Sequence, residues 1–332
     1  MDALLLQPYD TGSHRAWADG LVAHSRHRWT VARLPGRFWK WRMHGAAVTF
    51  AHDAAASPRR PDVVLTTDML DVATWRALAG DAGRSPLALY MHENQLAYPA
   101  AAVDARWTPS RQQRAARRDA HYGWLNVTSA LAADAVWWNS AHNRDAFLSA
   151  LPRFVRQFPD HVPPALAERI AAKSAVVPLG LDLGAVTARP ADDADRPPRL
   201  VWNHRWEHDK DPDAFVDLLA DLVADGVAFD ALLLGETFGR AHPALERARA
   251  VLGPRAVPGG FRADRAAYRA ALATADVVVS TARHEFFGVS VAEAVWAGAW
   301  PVVPVGLGYD AWLPAWSAPR ARHDGPAALR AL

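Results

Sequence analysis

Cysteine is absent from all 332 residues, which removes disulfides, thiol nucleophiles and cysteine-ligated zinc together. No apolar run approaches the roughly 18 residues of a membrane span. The opening MDALLL lacks the basic segment and small-residue cleavage site of an export signal. A cytoplasmic location is therefore expected, in keeping with the missing thiols. No G-x-G-x-x-G follows any candidate strand, which argues against a nicotinamide dehydrogenase. There is no internal repeat, and low complexity is confined to residues 188–199. Net charge is small as well, only +2, but unevenly placed. Residues 1–183 hold 21 Lys+Arg against 16 Asp+Glu, and 184–332 hold 16 against 19, so one half is +5 and the other −3. A basic first half can face an anionic partner, or reflect ordinary scatter.

What is present is globular composition, 51% hydrophobic and 22% charged, in a length that suits two cores. The short apolar runs Ala3–Leu6, Val63–Thr66, Leu87–Met91, Ala135–Trp138 and Ala175–Pro178 alternate with helix-like stretches. The ARPADDADRPPR stretch, 188–199, has no periodicity and reads as a linker. Alternation then restarts, with strands expected at Leu200–Asn203, Ala231–Gly235, Val277–Ser280 and Pro301–Pro304. Helices are expected at Asp213–Ala224, Ala241–Leu252, Ala263–Ala273 and Ser290–Ala297. This pattern predicts an α/β fold of two Rossmann-like, doubly wound parallel-sheet domains, 1–187 and 200–332, facing across a cleft with the ligand at the carboxyl ends of the strands.

The densest chemistry is in 285–302, EFFGVSVAEAVWAGAWPV. Gly288 permits a close turn just before a helix, whose free N–H groups make an anion seat. Glu285 and Glu293 lie about 12 Å apart if the stretch is helical, too far to bind one atom but suited to opposite ends of one elongated ligand. Arg205 and Lys210 follow the strand at 200–203. Two cations there can neutralise a diphosphate leaving group without a metal, although Glu207, Asp209 and Asp211 could also compensate them. His204 and His208 share that loop, but with no cysteine and mixed carboxylates a zinc reading is weak.

These motifs resemble the E-x7-E signature of the retaining glycosyltransferases of family 4, which have the GT-B fold. The resemblance implies that Glu285 binds the donor sugar's hydroxyls and Glu293 the ribose diol. By the same resemblance Arg205 and Lys210 hold the diphosphate, and Gly12, Phe286, Gly288 and Val289 line the donor site.

In the first half, Gly12 marks a tight turn with Ser13 and His14 behind it, and HENQLAYP at 92–99 follows an apolar strand. His92 matches that family's cleft histidine, and Glu93, Asn94 and Gln95 are expected at the cleft rather than in a core. A narrower resemblance is to the tRNA-queuosine α-mannosyltransferase-like branch. It is carried by the Gly12–His14 loop, WKWR at 39–42, the 92–99 segment, 119–123 leading to Asn126, WNS at 138–140 with Asn143, and PDH at 159–161. Thr11 stands where a second glycine is expected. Arg106, Arg111, Arg114, Arg117 and Arg118 are uninterrupted by an acid, and on a helix Arg111, Arg114 and Arg118 share one face. That stripe suits RNA phosphates or a solvated face. Tyr122, Trp124 and Trp107 beside it could stack a base or be core.

The resemblance implies retaining transfer of a hexose, mannose from GDP-mannose, to queuosine in tRNA. No metal or other cofactor is implied, and the partners are the sugar nucleotide and tRNA. His92, Arg205, Lys210 and Glu285 would be catalytic, and Ser13, His14, Glu93, Asn94, Gln95, Arg111, Arg114, Arg118 and Tyr122 would meet the acceptor. The alternatives are a family 4 enzyme acting on a lipid, glycan or small metabolite, and a non-catalytic nucleotide-sugar or RNA-binding module. A terminal helix crossing back onto the first domain would be short or missing.

Overall fold

The computed structural model describes residues 1–57, 59–97, 109–184, 196–237 and 242–331, with the side chains of 109–119, 316, 318, 319 and 331 left aside. Two compact units result, Met1–Asp182 and Leu183–Leu332.

The first unit runs β1 (Asp2–Asp10), α1 (Gly12–His24), β2 (Arg28–Pro35), α2 (Trp39–Ala55), β3 (Val63–Thr67), α3 (Val72–Leu78), β4 (Leu87–Met91), α4 (Pro109–Ala132), β5 (Ala135–Trp138), α5 (Ala141–Val155), α6 (Leu166–Ala171) and β6 (Ser174–Val176). Its sheet has the order β2-β1-β3-β4-β5-β6, with every pairing parallel. The apolar runs of β1, β3 and β4 are continuous because those strands are buried on both faces. Leu6, Val64, Leu89 and Met91 enter one core, and Leu5, Leu65, Ala88 and Tyr90 enter the other. That is the two-residue period of a strand.

The second unit runs β7 (Arg199–Trp202), α7 (Pro212–Ala224), β8 (Asp230–Leu233), α8 (Pro243–Leu252), β9 (Ala256–Val257), α9 (Arg265–Leu272), β10 (Val277–Val279), α10 (Val289–Trp296), β11 (Trp300–Pro304), α11 (Ala318–Ala321), β12 (Arg322–His323) and α12 (Pro326–Ala331). The order β12-β11-β10-β7-β8-β9 is the Rossmann arrangement, again parallel throughout. Trp202, Leu233 and Val279 pack on one face, and Val201, Leu232 and Val278 on the other.

The order of connection reverses between β1 and β3 in one sheet and between β7 and β10 in the other. Loops leaving neighbouring strands there part to opposite faces and leave a crevice at the carboxyl ends. The expected strands and helices are all found, displaced by a residue or two at their ends. Strand β2 was not anticipated, because it is an edge strand, half-exposed and carrying Arg28 and Arg33. The expected linker lies mostly outside the described residues, and Arg199 already begins β7. Helix α12 packs on α7 within its own unit, with Leu329 in the core and Arg330 paired to Asp221 and Asp225.

Candidate functional site

In the second unit the loops after β7 and β10 are stitched together at the switch point. Thr281 Oγ1 donates to the carbonyls of Lys210 (3.0 Å) and Asp211 (2.8 Å), and the amide of Arg283 to that of Asp209 (2.9 Å). Lys210 is the hub. Its Nζ lies 3.1 Å from Glu285 Oε2, 3.1 Å from Asp209 Oδ2 and 3.0 Å from the carbonyl of His284. Burial alone would push the ammonium down, but the carboxylates of Glu285 and Asp209 outweigh it and hold the group above its ordinary value. Glu285 answers in kind. Burial opposes its charge, yet Lys210, His204 and its hydrogen bonds hold the carboxyl low, at about 2. Its Oε1 accepts from the amides of Phe286 (3.0 Å) and Phe287 (3.2 Å). This cation and anion are charged together at neutral pH, as a buried pair must be.

The turn that follows is shaped from outside. Gly288 caps α10 with φ +85, and a Cβ there would come within 2.4 Å of the Tyr309 ring. Gly308 in turn packs on Phe286, where a Cβ would lie 2.1 Å from the backbone carbonyl. Trp312 Nε1 donates to the carbonyl of Phe287 (2.7 Å), and the Tyr309 and Ser280 hydroxyls share a hydrogen bond of 2.7 Å. A segment beyond β11 thus presses the glutamate loop into place. The first α10 N–H groups, at Val289, Ser290 and Val291, follow this turn and lie before the first intrahelical bond, from Ala292 to Gly288.

Glu293 sits one helical turn into α10 and accepts from Arg265 Nη2 at 2.8 Å. Nearby, Tyr268 and the carbonyl of Ser290 both bond Asn203 Nδ2. Because α10 begins only at Val289, the two glutamates are not joined by a continuous helix as the 12 Å spacing assumed. Arg205 is exposed and lies 3.3 Å from Glu207. His204, set aside in the sequence, is buried against Lys210 and Glu285; burial, reinforced by Lys210, lowers its imidazole to about 4. Its Nδ1 is 3.3 Å from Ser290 Oγ, and its buried Nε2 has no hydrogen-bond partner among the described residues.

In the first unit the loops after β1, β3 and β4 meet at the other switch point. His92 packs its ring on His14 (4.6 Å), Trp17 (4.7 Å) and Tyr90 (4.8 Å). Burial, with His14 adding, holds its imidazole well below the ordinary histidine range, so it is neutral at physiological pH. Its backbone is anchored at both ends: the amide donates to Asp68 Oδ1 (2.9 Å), and the carbonyl accepts from Asn139 Nδ2 (2.8 Å). Asn126 bridges the amide of Gln95 (2.9 Å) and the carbonyl of Asp68 (3.0 Å). Asn143 holds the carbonyl of Met91 (3.1 Å) and Asn139 Oδ1 (2.9 Å). Burial, and then Glu93, drive the Asp68 carboxyl up to about 8. Nothing local in the sequence singled out Asp68; a lone acid at a strand end has no signature until the fold places it under the β4 loop.

Two expectations are corrected here. Asn94 is fully buried, its side-chain Nδ2 donating to Asn143 Oδ1 (2.7 Å) and its Oδ1 accepting from Ala97 N (2.8 Å). It holds the loop from within, in place of the open position expected at the cleft, whereas Glu93 and Gln95 are only half-buried. Tyr122 is buried with Met43, Met69 and Leu125, and Trp124 packs on Phe158 at 5.1 Å, so both are core. A polar or aromatic residue near a strand end reads alike whether it turns inward or outward. Gly12 adopts φ +50 and Ser13 is exposed, while the carbonyl of His14 is held by Gln7 (2.9 Å). Thr11 is extended, φ −156, and needs no glycine; the close approach is made by Gly36, where a Cβ would meet Thr11 at 2.3 Å. Residues 98–108, with Tyr98, Pro99, Arg106 and Trp107, lie outside the described residues, as do the side chains of Arg111, Arg114, Arg117 and Arg118.

Solved structures share this architecture. HepE of Anabaena, crystallised with UDP and glucose, is 16% identical with a TM-score of 0.62, covering 100% of this chain and 88% of that one. Sucrose-phosphate synthase of Thermosynechococcus elongatus is 14% identical with a TM-score of 0.62 over the same shares. The fold is the GT-B architecture of glycosyltransferases. The model of the tRNA-queuosine alpha-mannosyltransferase N-terminal region matches residues 2–181, and the tRNA-queuosine alpha-mannosyltransferase of Drosophila melanogaster is 32% identical over 317 residues, 92% of this chain and 80% of that protein. The chain belongs to the tRNA-queuosine alpha-mannosyltransferase family.

Proposed function

We propose that the protein transfers mannose from GDP-mannose to queuosine in tRNA, with retention at the sugar carbon and without a metal. The second unit takes the donor and the first the acceptor. The observation that carries the reading is Lys210: a cation locked charged in a buried setting at the β7–β10 switch point, beside the N-terminus of α10. There it offsets the charge that develops on a departing diphosphate, with Arg205 beside it on the open side. Such groups are fixed before reaction, so they favour the separated charge of the transition state over the ground state. The leaving phosphate takes the proton of the attacking hydroxyl, and no enzyme nucleophile is needed. Glu285 and Glu293 bind the donor's sugar and ribose hydroxyls, exchanging part of their bonding to Lys210 and Arg265. Neutral His92 orients the sugar, Gly12 lines the donor side, and Ser13, His14, Glu93 and Gln95 line the acceptor side. Family membership supports tRNA over a lipid, glycan or metabolite acceptor, and cytoplasmic tRNA is the substrate pool.

The test is nucleoside mass spectrometry of queuosine-containing tRNA after incubation with the protein and a panel of sugar nucleotides. A hexose added to queuosine from GDP-mannose alone is the expected result. Modification from a uridine-linked sugar instead would overturn the donor, and no product with any donor would overturn the activity. Arg205→Ala is expected to lower kcat by roughly two to three orders of magnitude, the scale for losing one oxyanion-type contact. Near-normal turnover would remove Arg205 from the site.

A further inference from the structure

Where β2 gives way to α2, two large apolar side chains stand in water: Phe38, 72% exposed, and Trp41, 63% exposed. Phe38 also adopts a left-handed backbone, φ 56 and ψ 50. For a bulky residue that conformation is strained, and its ring receives little burial in return. Neither residue is explained by the stability of the unit. Trp41 is held in place from beneath, its ring lying where a Cβ on Gly45 would come within 2.5 Å. An aromatic surface fixed in this way loses little freedom on binding.

The surroundings are cationic. Between Asp19 and Asp53 there is no acidic residue, and Arg37, Lys40 and Arg42 interleave with Phe38, Trp39 and Trp41. The Arg37 guanidinium lies 5.8 Å from the Phe38 ring centre, and Lys40 lies over Trp39 at 5.3 Å and Tyr122 at 5.5 Å. Arg42 Nε donates to the carbonyl of Pro35 at 3.2 Å. Aromatic rings with arginine also occur at protein interfaces, but lysine is depleted there; exposed rings interleaved with both arginine and lysine and with no acid in the stretch suit a ligand with flat faces and an anionic backbone, which is unpaired nucleic acid. The location agrees. Pro35 pairs with Asp10 across the sheet, Gly36 packs on Thr11, and the same loop carries His14 into contact with His92. The platform is on the carboxyl edge of the sheet that bears the acceptor loops.

We propose that Phe38 and Trp41, with Arg37 and Arg42, form a stacking platform for an unpaired base of the RNA acceptor. This rests on the tRNA reading above and names the surface that engages the RNA beyond the modified nucleoside. The experiment is fluorescence anisotropy of the full chain with a labelled tRNA anticodon stem–loop across a salt series. It uses Phe38→Ala, Trp41→Ala, Trp41→Phe and Arg37→Gln, with thermal melting and sedimentation of each variant.

Trp41→Ala is expected to weaken binding roughly 5- to 150-fold, the range for losing one base–aromatic stack, with unchanged melting and an unchanged salt slope. Trp41→Phe should recover most of the loss, and Arg37→Gln should make the salt slope shallower by about one counterion. Wild-type affinity retained in both alanine variants would overturn the platform and leave the tRNA reading standing. Self-association lost in those variants, with RNA affinity intact, would overturn it in favour of a second copy of the chain. Failure of the wild type to bind the stem–loop at all would overturn both readings.

Discussion

Replacing Lys210 with Met tests whether the second unit's site is built around a buried ion pair. The ammonium satisfies two carboxylates and a carbonyl, and the Lys210, Asp209 and Glu285 side chains are only 10%, 2% and 18% exposed. Removing the cation leaves two buried charges unpaired, a loss of about 3–5 kcal/mol. Glu285→Gln is milder, roughly 1–3 kcal/mol, because Lys210 keeps Asp209 and the His284 carbonyl. The two variants also differ in pH dependence. In the wild type the Glu285 carboxyl is held down to about 2, so its stabilisation is complete above the unfolded value near 4.5 and disappears as pH falls towards 2. Without Lys210 burial is left as the largest influence on that carboxyl and raises it, so the folded variant loses stability as pH rises. The deficit of Lys210→Met should therefore be larger at pH 8 than at pH 4.5. Hydrogen exchange in graded urea reads this from peptides of residues 200–215 and 280–297, with peptides of the first unit as internal control, since a single transition is not assured for a chain of two compact units. A deficit below about 1 kcal/mol, or one equal at the two pH values, would refute the buried-pair account.

Asp68→Asn should flatten the pH dependence of the first unit. With the folded carboxyl near 8 and the unfolded one near 3.8, wild-type stability is fully present at low pH and is lost as pH rises from about 4 to about 8. Asparagine keeps an acceptor for the amide of His92 and does not titrate; equal slopes in urea titrations would count against the assignment. Gly288→Ala should destabilise the glutamate loop by roughly 1–3 kcal/mol, combining a left-handed backbone with a Cβ driven into Tyr309. It should raise KM for the sugar nucleotide, and unchanged KM and melting would show that the loop tolerates the added carbon.

The local pattern carried the fold a long way. Continuous apolar runs of four or five residues are visible without any tertiary information, because a parallel strand buried on both faces must be apolar throughout. The glutamate motif and the Arg205–Lys210 loop were equally legible, since their spacing is short and lies within one strand–loop–helix unit. Edge strand β2 was not, because half-exposed strands lose that contrast. The partners of the site came only from topology. Asp209 and Lys210 reach Glu285 because β7 and β10 are neighbours at the sheet's reversal, though some 75 residues separate the cation from the carboxylate. Asp68 underlies His92 because β3 and β4 are adjacent, and Gly308, Tyr309 and Trp312 press on the Phe286–Gly288 turn from beyond β11. Asn94 and Tyr122 show the converse: sequence located both near the acceptor loops, but whether a side chain faces solvent or a hydrogen-bonded interior depends on what the neighbouring strands and helices bring opposite it. Local chemistry determined which residues could act, and the crossing of the chain at two switch points decided which of them meet.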